Sequence, residues 1–230
     1  MIAGIRRSAS AMRPVLTAHD VIANNLANVG TIGFRADRLA FHLGPRQGGP
    51  TGPDLVVALD SRTGAYQTTG EALDLAISGE GYFVVETPEG ERYLRSGHFV
   101  VASDGTVATL QGHRLMGDGG PISVPSGVVP TIDADGTVRD GSKTFGRLRV
   151  VSFPAGSGLL HAGSGLLASS SEPVAAEGAR VLQGVLEEAN IQPVQALVEM
   201  IQLMRHFEMN QKALQVQDET LGKLINWLEA

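Results

Sequence analysis

Three stretches and the six histidines carry residue types that could do chemistry. Asp133-Ala134-Asp135-Gly136 has the alternating oxygens and glycine bend of a calcium loop. Such a loop also needs an acidic first ligand and a bidentate Glu at its last position, and Thr131 and Ser142 stand there instead. Gly136 to Thr144 comes near a phosphate-binding loop, but Ser142 separates Gly141 from Lys143, and Phe145-Gly146-Arg147-Leu148 continues as strand rather than helix. Gly79-Glu80-Gly81 lacks the third glycine of a dinucleotide fingerprint. The six histidines (19, 42, 98, 113, 161 and 206) show no pair at metal-ligand spacing, no Gly-x-Ser-x-Gly elbow occurs, and cysteine is absent. The expectation is therefore no catalytic residue, no cofactor and no metal.

The elements that would hold such groups in place are mostly strands. Tyr82-Phe83-Val84-Val85, Arg92-Tyr93-Leu94, Phe99-Val100-Val101, Thr106-Val107-Ala108 and Leu148-Arg149-Val150-Val151 are short β-branched and aromatic runs. Pro88-Glu89-Gly90 and the four Asp-Gly pairs starting at 104, 118, 135 and 140 separate them as hairpin turns. The spacing predicts antiparallel sheet, a sandwich or small barrel. Seven of the ten residues from Gly44 to Pro53 are Gly or Pro, which excludes regular helix and central strand and predicts a linker or extended arm. Pro154 to Pro173, with Gly-Ser-Gly-Leu-Leu at 156 and again at 163, is expected to be mainly loop with at most one short strand.

Both termini change to helical spacing. From Pro193, positions 197, 201, 204, 207, 211, 214, 218, 221, 225 and 228 step by four and three, and eight of the ten are apolar. A helix from Pro193 to Leu228 is expected, roughly 54 Å long at about 1.5 Å per residue. Gln211 and Asp218 interrupt its seam. At the other end Val15, Ala18, Ile22, Leu26 and Val29 also step by three and four. Pro14 removes a backbone donor, so the helix is expected to begin there or, failing that, a longer helix to be kinked there, and Asn28 and Gly30 to end it.

Composition restricts the function. The 230-residue chain has 43% hydrophobic and 18% charged residues, the balance of a folded protein. Its formal net charge of -6 argues against nucleic-acid binding. No run of about 18 apolar residues suggests membrane insertion. Met1 to Arg7 lacks the apolar core of a secretory signal, so any export is expected to proceed without a cleaved one.

One constellation asks for more. Asn24, Asn25 and Asn28 crowd a predicted helix end, Ala23-Asn24-Asn25-Leu26-Ala27-Asn28, although each Asn inside a helix costs about half a kcal/mol against Ala. Helix-end capping accounts for Asn28 readily and for the other two less well. With Gly33-Phe34-Arg35 following, the segment resembles the N-terminal signature of the bacterial flagellar axial proteins, the family of rod and hook subunits. Gly184-Val185-Leu186, Asn190, Leu197-Val198-Glu199-Met200-Ile201, Arg205, Phe207-Glu208, Asn210 and Lys212 are similar to that family's closing helix. Leu73 to Phe83 and Tyr93-Leu94-Arg95-Ser96-Gly97 resemble the start of its β-domain. The length, Gly120 to Pro125 and Gly146-Arg147-Leu148 are most like proximal rod subunits, with distal rod subunits the near neighbours. Pro14 and Gly30-Thr31-Ile32 depart from the family pattern.

The resemblance implies an α+β fold: a discontinuous helical coiled-coil domain from both termini, with a β-rich, mainly antiparallel domain inserted. The expected division is 1–33 and 190–230 for the helices, 34–75 for the arm and 76–189 for the β-domain. It implies a structural subunit of the rod, assembling into a helical tube that transmits torque and encloses an export channel. Its implied partners are other rod proteins, further copies of itself and the flagellar type III export apparatus, in the basal body. The expected assembly surface is Ile22, Asn24, Asn25, Leu26, Asn28, Gly33 and Phe34 at one end, and Leu197, Ile201, Met204, Phe207, Leu214, Leu221, Ile225 and Leu228 at the other. The competing readings are a β-rich binding module on a coiled-coil stalk, as in an adhesin or phage fibre, and, behind it, an enzyme acting on the cell wall.

Overall fold

The computed structural model describes residues 2–46, 49–154 and 157–228. Helix α1 spans Ile2–Ala27 and α2 spans Pro193–Leu228. The first strands are β1 (Asp37–Arg46), β2 (Gly49–Leu59), β3 (Tyr66–Thr68), β4 (Leu75–Ser78), β5 (Tyr82–Thr87) and β6 (Gly90–Leu94). Next come β7 (Phe99–Val101), β8 (Val107–Thr109), β9 (Arg114–Gly117), β10 (Gly120–Pro121), β11 (Thr131–Ile132), β12 (Thr137–Asp140) and β13 (Lys143–Arg147). The last are β14 (Val150–Ser152), β15 (Leu160–Gly163), β16 (Leu166–Ala168), β17 (Val174–Ala175), β18 (Arg180–Gln183) and β19 (Val185–Glu187).

The chain forms two units. Unit 1 comprises Met1–Ala27, Asp37–Val57 and Gln192–Ala230; unit 2 comprises Asn28–Ala36 and Ala58–Ile191. In unit 1 the two helices pack on each other, β1 packs on α1, and β1 and β2 pair as a two-stranded ribbon. A ribbon has only edge strands, which is why the prolines of 44–53 can sit in it.

These facts correct the expected fold class. The chain is strand-rich: its described residues hold two helices against nineteen strands, and the terminal unit is not a coiled-coil domain but two helices with a strand ribbon. The step of three and four identifies a helix and its apolar face, but it is silent on what the face packs against. The expected start at Pro14 is also corrected, because α1 runs from Ile2 through Pro14. One missing donor is tolerated where the rest of a long helix is held by its neighbours. The C-terminal helix has the predicted bounds.

In unit 2 an antiparallel sheet runs β15-β16-β6-β5-β9-β8-β7, with β10 on β9 and β14 joining β5 to β17. Among the described residues its two end strands, β15 and β7, do not pair with each other. The alternation of β5 shows how both faces are covered. Phe83 and Val85 join one buried cluster with Leu75, Ile77, Phe99, Leu115 and Val138. Val84, between them, joins a second with Tyr93, Val151 and Leu167. Each such side chain contributes about 1.5–3 kcal/mol on burial, and Phe83 meets Phe99 edge to face at 5.4 Å. The Asp-Gly pairs stand at the turns between β7 and β8, β9 and β10, β11 and β12, and β12 and β13. The 154–173 stretch is less loop-like than expected. Its second Gly-Ser-Gly-Leu-Leu copy turns β15 back onto β16, and β16 pairs with β6 of the main sheet.

Candidate assembly interface

The long helix carries apolar side chains on two opposite sides. The positions of α2 shielded from solvent are Ala196, Met200, Leu203, Phe207, Asn210, Leu214 and Gln217, again in steps of four and three. Val194, Leu197, Val198, Ile201, Met204, Met209 and Val216 remain exposed, Val194 at 75% and Ile201 at 54%. At about 100° per residue the two sets lie on opposite sides of the helix. The seam expected at 197, 201 and 204 is thus open, and the shielded seam lies one residue earlier, meeting the expected one at Phe207 and Leu214. The side chains of Leu221, Ile225 and Leu228 lie outside the described residues. Helix α1 packs on α2, with Val15, Ala18, Ile22, Ala23, Asn25 and Leu26 on its shielded positions and Thr17, Asp20 and Asn24 exposed. A helix that is apolar on two sides is one meant to be covered twice.

The asparagines have separate roles. Asn25 is buried, and its amide imitates a backbone pairing: Asp37 N–H donates to Oδ1 at 2.8 Å while Nδ2 donates to the Asp37 carbonyl at 2.7 Å. This fixes the first residue of β1 beside the last turn of α1, within unit 1. Asn28 ends the helix, its carbonyl accepting from Thr31 N–H at 3.0 Å and its side chain from the Thr31 hydroxyl at 3.3 Å.

Gly33 and Phe34 belong to unit 2, in its interior rather than on its surface. Gly33 has φ of 66° and donates to the Glu187 carbonyl at 2.7 Å; a Cβ there would stand 2.3 Å from the Ser96 nitrogen, so no other residue fits. Phe34 is buried with its ring stacked on His161, centroids 4.8 Å apart and 5° from parallel. Arg35 is also buried. It pairs with the Glu187 carboxylate at 3.1 Å and donates to the Arg62 carbonyl. Burial pulls its pKa down from the ordinary arginine value, and the charge of Glu187 opposes that.

Glu187 is the residue that composition and spacing did not single out. Only 1% exposed, it takes Arg95 Nε at 2.5 Å on one oxygen, and Arg35 and the Gly64 N–H on the other, the last at 2.9 Å. Arg95 spends its remaining donors on the carbonyls of Gly81, Ile77 and Gly79, holding the turn between β4 and β5. A buried carboxylate between two guanidiniums tolerates no loss of a partner; breaking such a pair costs about 3–5 kcal/mol. A signal was available: Glu187 directly follows Val185-Leu186 and Arg95 directly follows Tyr93-Leu94, where an isolated charge demands an opposite one. Among the described residues no three metal-ligating side chains converge, and His98 is hydrogen-bonded to Asp74 at 2.6 Å.

Comparison with known proteins bears on what an open helix face is for. The family described as "Flagellar hook protein FlgE/F/G D1 domain" matches residues 76–140, and "Flagellar basal body rod FlgEFG protein C-terminal" matches 182–226. The flagellar basal-body rod protein FlgF of Salmonella typhimurium is 36% identical, over 90% of this chain and 91% of that protein. FlgF of Escherichia coli is equally similar, at 36% over 90% and 91%. FlgG of Bacillus subtilis is 31% identical over 98% of this chain and 99% of its own length. The chain belongs to the flagellar basal-body rod protein family. As a FlgF- or FlgG-like member it is a structural rod subunit of the basal body, assembling with other rod components, and the adhesin-like alternative falls away. The half-buried positions of α2 and Glu187 lie within the matched C-terminal stretch, and Arg95 lies within the matched D1 stretch.

Proposed function

We propose that this subunit is built into the rod through the open face of α2, Val194, Leu197, Val198, Ile201 and Met204, which a neighbouring subunit covers, while α1 covers the opposite face from within the same chain. The observation that carries this is the double apolar surface of α2 in a chain of a self-assembling family. Each half-exposed side chain freed of its remaining water adds on the order of 1 kcal/mol to the contact. A contact between different surfaces of identical subunits that does not close into a ring generates a helical tube. Asn24, exposed on α1, belongs to a further contact on that helix; Gly33 and Phe34 serve the interior of unit 2 and support assembly only indirectly.

The tube transmits torque and surrounds an export channel. The subunit reaches the periplasm-spanning rod through the flagellar type III apparatus. Its role is structural rather than enzymatic. No helix among the described residues is long and apolar enough to cross a membrane. The test is the pair Leu197→Asp and Ile201→Asp in cells lacking the natural copy. Loss of rods and swimming, with normal export and a folded monomer, supports the assignment; normal rods would end it.

A further inference from the structure

The chain passes between its two units four times, at 27/28, 36/37, 57/58 and 191/192. On the unit 2 side these passages are tied to one another. The Asn190 side chain accepts from Ala36 N–H at 2.7 Å and donates to the carbonyls of Asp60 at 3.1 Å and Arg62 at 2.8 Å. One amide thus joins the second, third and fourth passages. Asp60 N–H donates to the Ala36 carbonyl at 2.7 Å, pairing the second and third directly. The first is held by Gly33 N–H on the Glu187 carbonyl. Beneath them the Arg35 guanidinium bonds both the Glu187 carboxylate and the Arg62 carbonyl. Gly64 approaches so closely that a Cβ would lie 1.9 Å from the Glu188 oxygen.

We infer that Asn190, backed by Arg35 and Glu187, makes these four passages into one mechanical joint, so that force entering unit 2 is shared among them instead of peeling one segment away. This rests on the reading of the protein as a torque-carrying rod subunit. Hydrogen bonds loaded in series fail one at a time; bonds between parallel segments fail together and at higher force. The chemistry at 190 suits only an amide. The site needs one acceptor and two donors on a short side chain: Asp supplies no donor and would face two carbonyls with a charge, while Ala supplies nothing. Asn190 is a positioning residue, and it acts through the segments it joins.

Its mechanical role separates from a merely structural one by the direction of pull. The sequence has no cysteine, so introduced pairs give unique attachment points on the full chain. With Asn24→Cys and Val129→Cys, force enters unit 2 through the first passage; with Val129→Cys and Leu160→Cys, both on exposed residues of unit 2, it does not. Asn190→Ala is expected to lower the opening force about twofold in the first geometry and to leave the second unchanged. Asn190→Asp, which keeps the acceptor for Ala36 but sets a charge against the Asp60 and Arg62 carbonyls, is expected to lower it at least as far as Ala. Equal losses in both geometries, or no loss in the first, overturn the proposal. Because the pulling is done on single molecules, its failure leaves the assembly reading intact, and failure of the assembly test leaves the pulling result standing.

Discussion

Unit 2 and the α2 side of unit 1 treat their difficult groups in opposite ways. In unit 2 the central strand is covered on both faces, and the buried Glu187 is matched by Arg35, Arg95 and a backbone N–H. In unit 1 a helix of 36 residues has one apolar side shielded and the other in solvent. The strand-rich unit thus covers its central strand and its buried charges within one chain, whereas α2 leaves one apolar side in solvent, the side that the proposed assembly would cover. A substitution should therefore act on folding in the first place and on association in the second.

The strongest way to break the comparison is Glu187→Gln. It leaves two buried guanidiniums facing a neutral amide and should cost unit 2 about 3–5 kcal/mol in urea unfolding; a loss below 1 kcal/mol would mean that unit 2 is far less self-sufficient than described. Asn25→Ala comes next. It strips the Asp37 N–H and carbonyl of their partner within unit 1, and about 1–3 kcal/mol is expected, read as faster hydrogen exchange at Asp37. Ile201→Asp should shift the stability of the isolated monomer by no more than about 0.5 kcal/mol, since it lies on an exposed surface, yet abolish assembly.

The smallest effect concerns acid. The Asp104 and Asp135 carboxyls are held below the usual range, Asp104 chiefly by the Thr106 hydroxyl and then its N–H, Asp135 chiefly by the Thr137 N–H and then its hydroxyl. The folded state therefore binds these protons less readily than the unfolded chain. Their contribution is complete above the unfolded value, about pH 4, and is lost as pH falls through the lower folded values. Replacing both by Asn should flatten stability against pH in that acid window and leave its slope at neutral pH unchanged, as followed by circular dichroism.

How much of this was legible depended on whether the cause was local. The bounds of α2 and the hairpin turns were readable because Pro193, the step of three and four and the Asp-Gly pairs act within a few residues. The crowding of Asn24, Asn25 and Asn28 was readable as an anomaly, but the partner that explains Asn25, the backbone of Asp37 on a strand, was not. The same limit misplaced the helical domain: periodicity could not report that β1 packs on α1 beside α2. It also put the covered seam one residue late, because a helix apolar on two sides offers two registers and only the packing of α1 chooses between them. Glu187 and Arg95 are 92 residues apart in the chain. Each was visible as a charge beside an apolar strand, but their meeting depends on the pairing of β18 with β4 and of β19 with β3.

The central claim is that α2 shows its neighbours the face at 201 and keeps the face at 203 for its own chain. Single cysteines at Ile201 and at Leu203, introduced into the cysteine-free sequence and probed with a short bifunctional thiol reagent in purified basal bodies alongside a cysteine on the neighbouring rod subunit, test it most directly. Intermolecular cross-links are expected from position 201 and not from 203; cross-links from 203 with none from 201 would reverse the assignment of the two faces.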